Sequence, residues 1–139
     1  MINNYFILKA QVDYLENLSS TYLIKNVFSS EKNVITFNLL TNNGKESFLT
    51  FILEKNLESF FIEDEKSIPA KNILYLFDGI LNTSIVNISI EDKNRIITLE
   101  LSNALKIVFF AFPKYSNLFI VNDDLITDCY SQKANPLHT

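Results

Sequence analysis

A period of two constrains this chain more than any other feature. From Asn33 to Leu40, Val34, Thr36 and Asn38 alternate with Ile35, Phe37 and Leu39. Successive side chains of a strand point to opposite faces, so the alternation predicts a strand with one apolar face. Asn42-Asn43-Gly44 follows. Asn and Gly tolerate the positive φ that a tight reversal needs. Ser47 to Leu53 then resumes the apolar character, so residues 33–53 read as a β-hairpin.

The same signal recurs on both sides of the hairpin. Thr21 to Phe28 is rich in Tyr, Ile, Val and Phe. Phe60 to Ile62 makes a short strand before the acidic Glu63-Asp64-Glu65. Ser84 to Ile90 sets Ile85, Asn87 and Ser89 against Val86, Ile88 and Ile90. Arg95 to Leu101 sets Ile96, Thr98 and Glu100 against Ile97, Leu99 and Leu101. Ala104 to Phe112 and Leu118 to Val121 are near-continuous apolar runs, as in central strands. Leu125 to Tyr130 closes the set.

Two stretches follow the helical period instead. In Tyr5 to Leu18, Leu8, Val12 and Leu15 share a face, with Lys9 and Asp13 spaced for an ion pair on the other side. Pro69 opens a second stretch, Ala70 to Leu81, striped by Ile73, Leu74, Phe77 and Leu81 and weakened by Gly79. The expected fold is therefore α+β. About eight strands form an antiparallel β-sandwich or flattened barrel, with two packed helices. No linker rich in Pro, Gly or Ser interrupts residues 1–130, which read as one domain. Residues 131–139 are polar, contain Pro136, and read as a tail or the start of a linker.

Composition narrows the chemistry. The 139 residues are 47% hydrophobic and include 12 Phe and 6 Tyr, which is material for a packed core and excludes global disorder. Cys129 stands alone, so there is no internal disulfide and no cysteine-based zinc site. His138 is the sole His, which removes histidine-pair metal motifs. Gly44 and Gly79 are too far apart for a phosphate loop. Apolar runs such as residues 107–112 fall far short of the ~20 residues that span a bilayer, so no membrane contact is expected. No secretion pattern opens the chain, and the cytoplasm is the expected compartment.

Candidate site residues are few. Glu63-Asp64-Glu65, Glu91-Asp92 and Asp123-Asp124 all fall at junctions, where a solvated turn is the ordinary role of carboxylates. Phe109, Phe110 and Phe112 lie in a core-like run. Arg95 is the single Arg and starts a strand after an acidic turn. Its guanidinium can clamp a phosphate or carboxylate with two hydrogen bonds, or simply pair with Glu91 or Asp92. No catalytic constellation, cofactor site or metal site emerges.

The segment order resembles the N-terminal domain of the NFACT family, also called fibronectin-binding protein A-like. That family includes ribosome-quality-control factors that bind tRNA on stalled large ribosomal subunits. Tyr5-Phe6-Ile7-Leu8-Lys9-Ala10, with a helix ending at Leu15-Glu16-Asn17-Leu18, is similar to the family's opening. Leu23 to Phe28 followed by Asn33-Val34-Ile35 resembles its first strand pair. Ile73 to Leu81 before Ile85-Val86-Asn87-Ile88 resembles a helix and strand of the family, and Asn94-Arg95-Ile96-Ile97 resembles its Asp-Arg strand. Tyr115 to Asp123 looks like its small-Asn-aliphatic strand and turn. The acidic partner of the family's Asp-Arg pair is Asn94 here, and the helix lacks the family's Arg-Lys.

The resemblance implies a non-catalytic module of RNA and ribosome-associated quality control. Its expected partners are tRNA, the large ribosomal subunit and other domains of the same chain, with Arg95, Asn94 and Asn117 facing the RNA. The family's fold is similar to the N-terminal domain of formamidopyrimidine-DNA glycosylases. Those enzymes need a Pro-Glu start, and Ile2-Asn3 stands here, so their reaction is excluded. The alternative is a protein-interaction or structural domain that keeps the fold without RNA binding. The net charge of −4 favours that alternative.

Overall fold

The alternating segment forms the middle of a four-stranded antiparallel meander. Its strands are β1 (Tyr22–Glu31), β2 (Val34–Thr41), β3 (Glu46–Ile52) and β4 (Ser59–Glu63). A second meander follows, made of β6 (Ser84–Ile90), β7 (Ile96–Leu101), β8 (Lys106–Phe110), β9 (Asn117–Asn122) and β10 (Leu125–Cys129). Together they form one sheet of order β10-β9-β8-β7-β6-β1-β2-β3-β4, with the two-residue β5 (Leu74–Tyr75) paired to β1 beside that path. This computed structural model describes residues 9–13, 22–41, 44–54, 57–64, 73–91, 94–112 and 116–130. The expected tail at 131–139, with His138, lies outside them, as do Asn42, Asn43 and Glu65.

The sheet doubles over on itself. β3 and β8 are five strand spacings apart in the order, about 24 Å in a flat sheet. Yet the rings of Phe51 on β3 and Phe109 on β8 lie 5.0 Å apart, edge to face, and Phe60 on β4 lies 6.4 Å from Phe109. The two meanders therefore face each other like a sandwich. Their inner faces carry the core: Ile35, Phe37, Phe51, Ile97, Leu99, Ile107, Phe109 and Leu118 are all 0% exposed. Each such side chain contributes about 1.5–3 kcal/mol through burial. β4 and β10 sit at opposite ends of the order and do not pair, so the sheet stays open and no flattened barrel closes.

The fold line runs along β1. Only Tyr22↔Ile85 and Leu23↔Ser84 join β1 to β6. Further along, Thr83 O accepts from Ile24 N at 2.8 Å, Ile24 O from Asn82 N at 2.8 Å, and Val27 O from Leu76 N at 3.0 Å. β5 then pairs with Phe28 and Ser29. Residues 74–85 thus run antiparallel to β1 as one interrupted strand. The interruption is a 3₁₀ turn, Asp78–Ile80, entered through Phe77 in the left-handed region (φ 55°). Buried Phe77 and Ile80 anchor it in the core.

This corrects the second expected helix. Phe77 and Ile80 are core anchors of a turn, while Leu74 is 60% exposed. Residues 70–72 of that expected helix lie outside the described residues; a helix over 73–81 would leave the β5-side edge of half of β1 without backbone partners, and unpaired buried backbone is costly. Of the first expected helix, residues 9–13 are helical. Val12 is 1% exposed in the core, and Lys9 Nζ reaches Asp13 Oδ2 at 3.3 Å. Residues 5–8 and 14–18 lie outside the described residues. The described residues are therefore more β-rich than expected: they hold ten strands rather than about eight, and no second packed helix is found among them.

The polar face of the central hairpin is buried as well. Thr36 and Thr50 are 2% and 1% exposed, and their hydroxyls bond to each other at 3.2 Å. Two polar contacts also tie the meanders together. Tyr130 OH accepts from Asn33 N at 2.8 Å, and Ser116 Oγ lies 3.3 Å from Oε2 of the fully buried Glu58.

The β7–β8 turn holds a conformational cost. Ala104 adopts φ 72°, where a Cβ is disfavoured by roughly 1–2 kcal/mol. Ala104→Gly is expected to raise the unfolding free energy by about 0.5–1 kcal/mol in urea titrations, net of the extra chain entropy of Gly.

Candidate functional site

The β6–β7 turn presents the residues the sequence marks. Glu91 N donates to Ile96 O at 2.9 Å, and Asn94 N donates to Glu91 O at 3.1 Å, which closes the turn. The exposed Asn94 side chain is already engaged, since its Nδ2 donates to Glu91 Oε1 at 3.1 Å. Arg95 O accepts from Ala111 N at 2.9 Å and extends the β7–β8 ladder by one step. The Arg95 guanidinium lies over the Phe112 ring, with Cζ 5.9 Å from its centroid. A cation over an aromatic face is held by the ring quadrupole. Asn94 thus takes the Glu91 carboxylate, and Arg95 stacks on an aromatic ring.

Asn117 is placed differently. It opens β9 opposite Phe110, at the same end of the sheet. Its side chain is 0% exposed, and its Oδ1 accepts from Leu118 N at 2.8 Å. The structure brings Asn94 and Arg95 together at one turn but keeps Asn117 inside the protein, away from a surface ligand.

Phe110 and Phe112 are the residues that sequence reasoning misplaced. Ile107, Phe109 and Ala111 point into the core and are 0% exposed. Val108, Phe110 and Phe112 have the opposite parity and are half-buried on the outer face. Phe110 packs edge to face on Phe112 at 5.8 Å and on Phe119 at 5.0 Å. The continuous apolar run hid this alternation. The outer end of β7–β9 therefore combines one guanidinium and two half-buried rings beside the Asn94–Glu91 pair, a set that offers a planar π-system a contact surface.

Of the acidic groups, Glu63 ends β4, Asp92 and Glu65 lie outside the described residues, and the Asp123-Asp124 pair forms a turn. Asp123 and Asp124 are exposed and take φ 49° and 67° in a two-residue reversal between β9 and β10. Among the described residues no group of three or more His, Cys, Asp or Glu could hold a metal ion. No described helix is long and apolar enough to cross a membrane.

No protein-family model matches the chain, and no curated protein matches it in sequence. In fold, this chain is similar to the N-terminal domain of fibronectin-binding protein PavA from Streptococcus pneumoniae. The TM-score is 0.72 at 13% identity, over 93% of this chain and 56% of the PavA chain. At that identity the likeness to PavA shows the fold. The present chain spans little more than half the length of the PavA chain. A PavA-like N-terminal domain agrees with the family resemblance carried by the segment order.

Cys129 ends β10 beside Asp128, whose Oδ1 accepts from Cys129 N at 2.8 Å. Burial pushes the thiol pKa up, and the Asp128 carboxylate adds to the rise. A raised pKa leaves less thiolate at a given pH. The pH profile of alkylation by iodoacetamide should therefore have its midpoint above the ordinary cysteine value of about 8.5, and Asp128→Asn should lower it.

Proposed function

We propose that this chain is a non-catalytic N-terminal module of NFACT type that binds structured RNA such as tRNA in ribosome-associated quality control in the cytoplasm. The observation that carries this reading is the fold likeness to the PavA N-terminal domain over 93% of the chain. The local support is Arg95. Its guanidinium lies over the Phe112 ring at the outer end of the sheet, and a guanidinium is a group that can pair with a phosphate through two hydrogen bonds. The half-exposed Phe110 and Phe112 rings beside it offer contact to a base. The large ribosomal subunit and further domains of the same protein are the partners this role requires.

A protein-interaction or structural domain is the second reading. The net charge of −4 favours it, and so do the committed Asn94 amide and the buried Asn117. PavA itself is described as a fibronectin-binding protein, which is a protein partner. Titrating labelled tRNA with the chain at about 50 and 200 mM salt separates the two readings. Salt-sensitive binding is expected. Arg95→Ala should weaken it several-fold and lower the slope of log K against log salt by about 1. Absence of salt-sensitive binding, or equal binding by Arg95→Ala, favours the second reading.

A further inference from the structure

We propose that β4 is the contact strand of a symmetric dimer formed with a second copy of this chain. The open sheet has two ends, β10 and β4. A strand at such an end offers unpaired N–H and C=O groups, and proteins guard it with bulges, Lys, Pro or exposed charge. β10 is guarded. Its register with β9 shifts between Ile126 and Asp128, and Thr127 and Asp128 are exposed. β4 is not. Its register with β3 runs unbroken from Ile52↔Ser59 to Phe48↔Glu63. Its sequence, Ser-Phe-Phe-Ile-Glu, holds no Lys and no Pro. Phe61 on its outer face is 39% exposed, and Leu57 just before it is 64% exposed. Among the described residues no strand pairs with its other side.

The occupant follows from the strand's own pattern. A two-fold axis normal to the sheet makes an antiparallel pair in which inner residues meet inner residues. Centred on Phe61, that pair sets Phe61 against Phe61, Phe60 against Ile62, and Ser59 against Glu63. All five residues are used, apolar meets apolar, and no two carboxylates are opposed. Moving the centre to Ile62 sets Glu63 against Phe61 and Asp64 against the buried Phe60. Moving it to Phe60 needs the fully buried Glu58 as an edge residue. One register therefore fits, and it is self-complementary. The contact is five residues long, which makes a weak, concentration-dependent dimer.

Sedimentation velocity of the chain over roughly 5–500 µM tests this. The expected result is a shift from monomer to dimer across that range. Phe61→Lys sets two ammonium groups across the two-fold and should stay monomeric. Val86→Lys, at a site 63% exposed on β6, should dimerise like the wild type. Ser59→Lys places an ammonium opposite Glu63 of the second copy and should tighten association about threefold or more, a gain that misfolding cannot mimic. A chain that stays monomeric throughout overturns the proposal, as does a Phe61→Lys variant that dimerises like the wild type. Monomers that instead bind an added foreign β-strand peptide along β4 would assign the edge to another partner and overturn the second copy as occupant.

Discussion

Everything else in this structure depends on Phe51 meeting Phe109. The two rings belong to strands at nearly opposite ends of one sheet, and their 5.0 Å contact exists because the sheet is folded in two. Phe37 and Phe60 flank Phe51 at 5.4 and 5.7 Å, so the contact lies within an aromatic cluster that spans the two meanders. Along the fold line β1 pairs with β6 at two residues, and backbone bonds to residues 74–83 continue that seam. Ring packing between the inner faces sets their mutual position.

That closure decides what remains for function. The inner faces are spent on the core, which leaves the outer faces and the two edges of the open sheet. At one end of the outer face, Arg95 rests on Phe112 beside Phe110, next to the turn that Asn94 and Glu91 close. At the sheet's margin, β4 carries an exposed Phe on a regular strand, while β10 is bulged and carries exposed Thr127 and Asp128. These two places are built differently. The first offers charge and π-faces, and the second offers backbone groups and apolar surface.

Much of the strand pattern was legible because period two is a local property. Ser84–Ile90 is read from its alternation with the bounds the structure has, and the central hairpin is read to within a residue or two. The 3₁₀ turn was not legible. Ile73, Leu74, Phe77 and Leu81 fall at helical spacing, but what organises residues 74–85 is the need of β1's edge for partners, a demand set by residues fifty positions earlier. The choice between a sandwich and a flattened barrel was likewise left open, since no local pattern tells an open folded sheet from a closed barrel. At the site, Arg95 was legible as a lone Arg. The outer-face role of Phe110 and Phe112 was masked by an apolar run with no polar residue to mark its parity. Asn117 could not be separated from a surface Asn, because its burial comes from strands packed around it.

The claim that ring packing across the fold holds the two meanders together is tested most directly by a double-mutant cycle on Phe51 and Phe109. Phe51→Leu, Phe109→Leu and the double variant would be compared in denaturant unfolding, with Leu keeping most of the apolar volume. The double variant is expected to lose less stability than the two single losses together, by a coupling of about 0.5–1.5 kcal/mol. Losses that add within about 0.3 kcal/mol would contradict it, and would mean that the two rings do not meet.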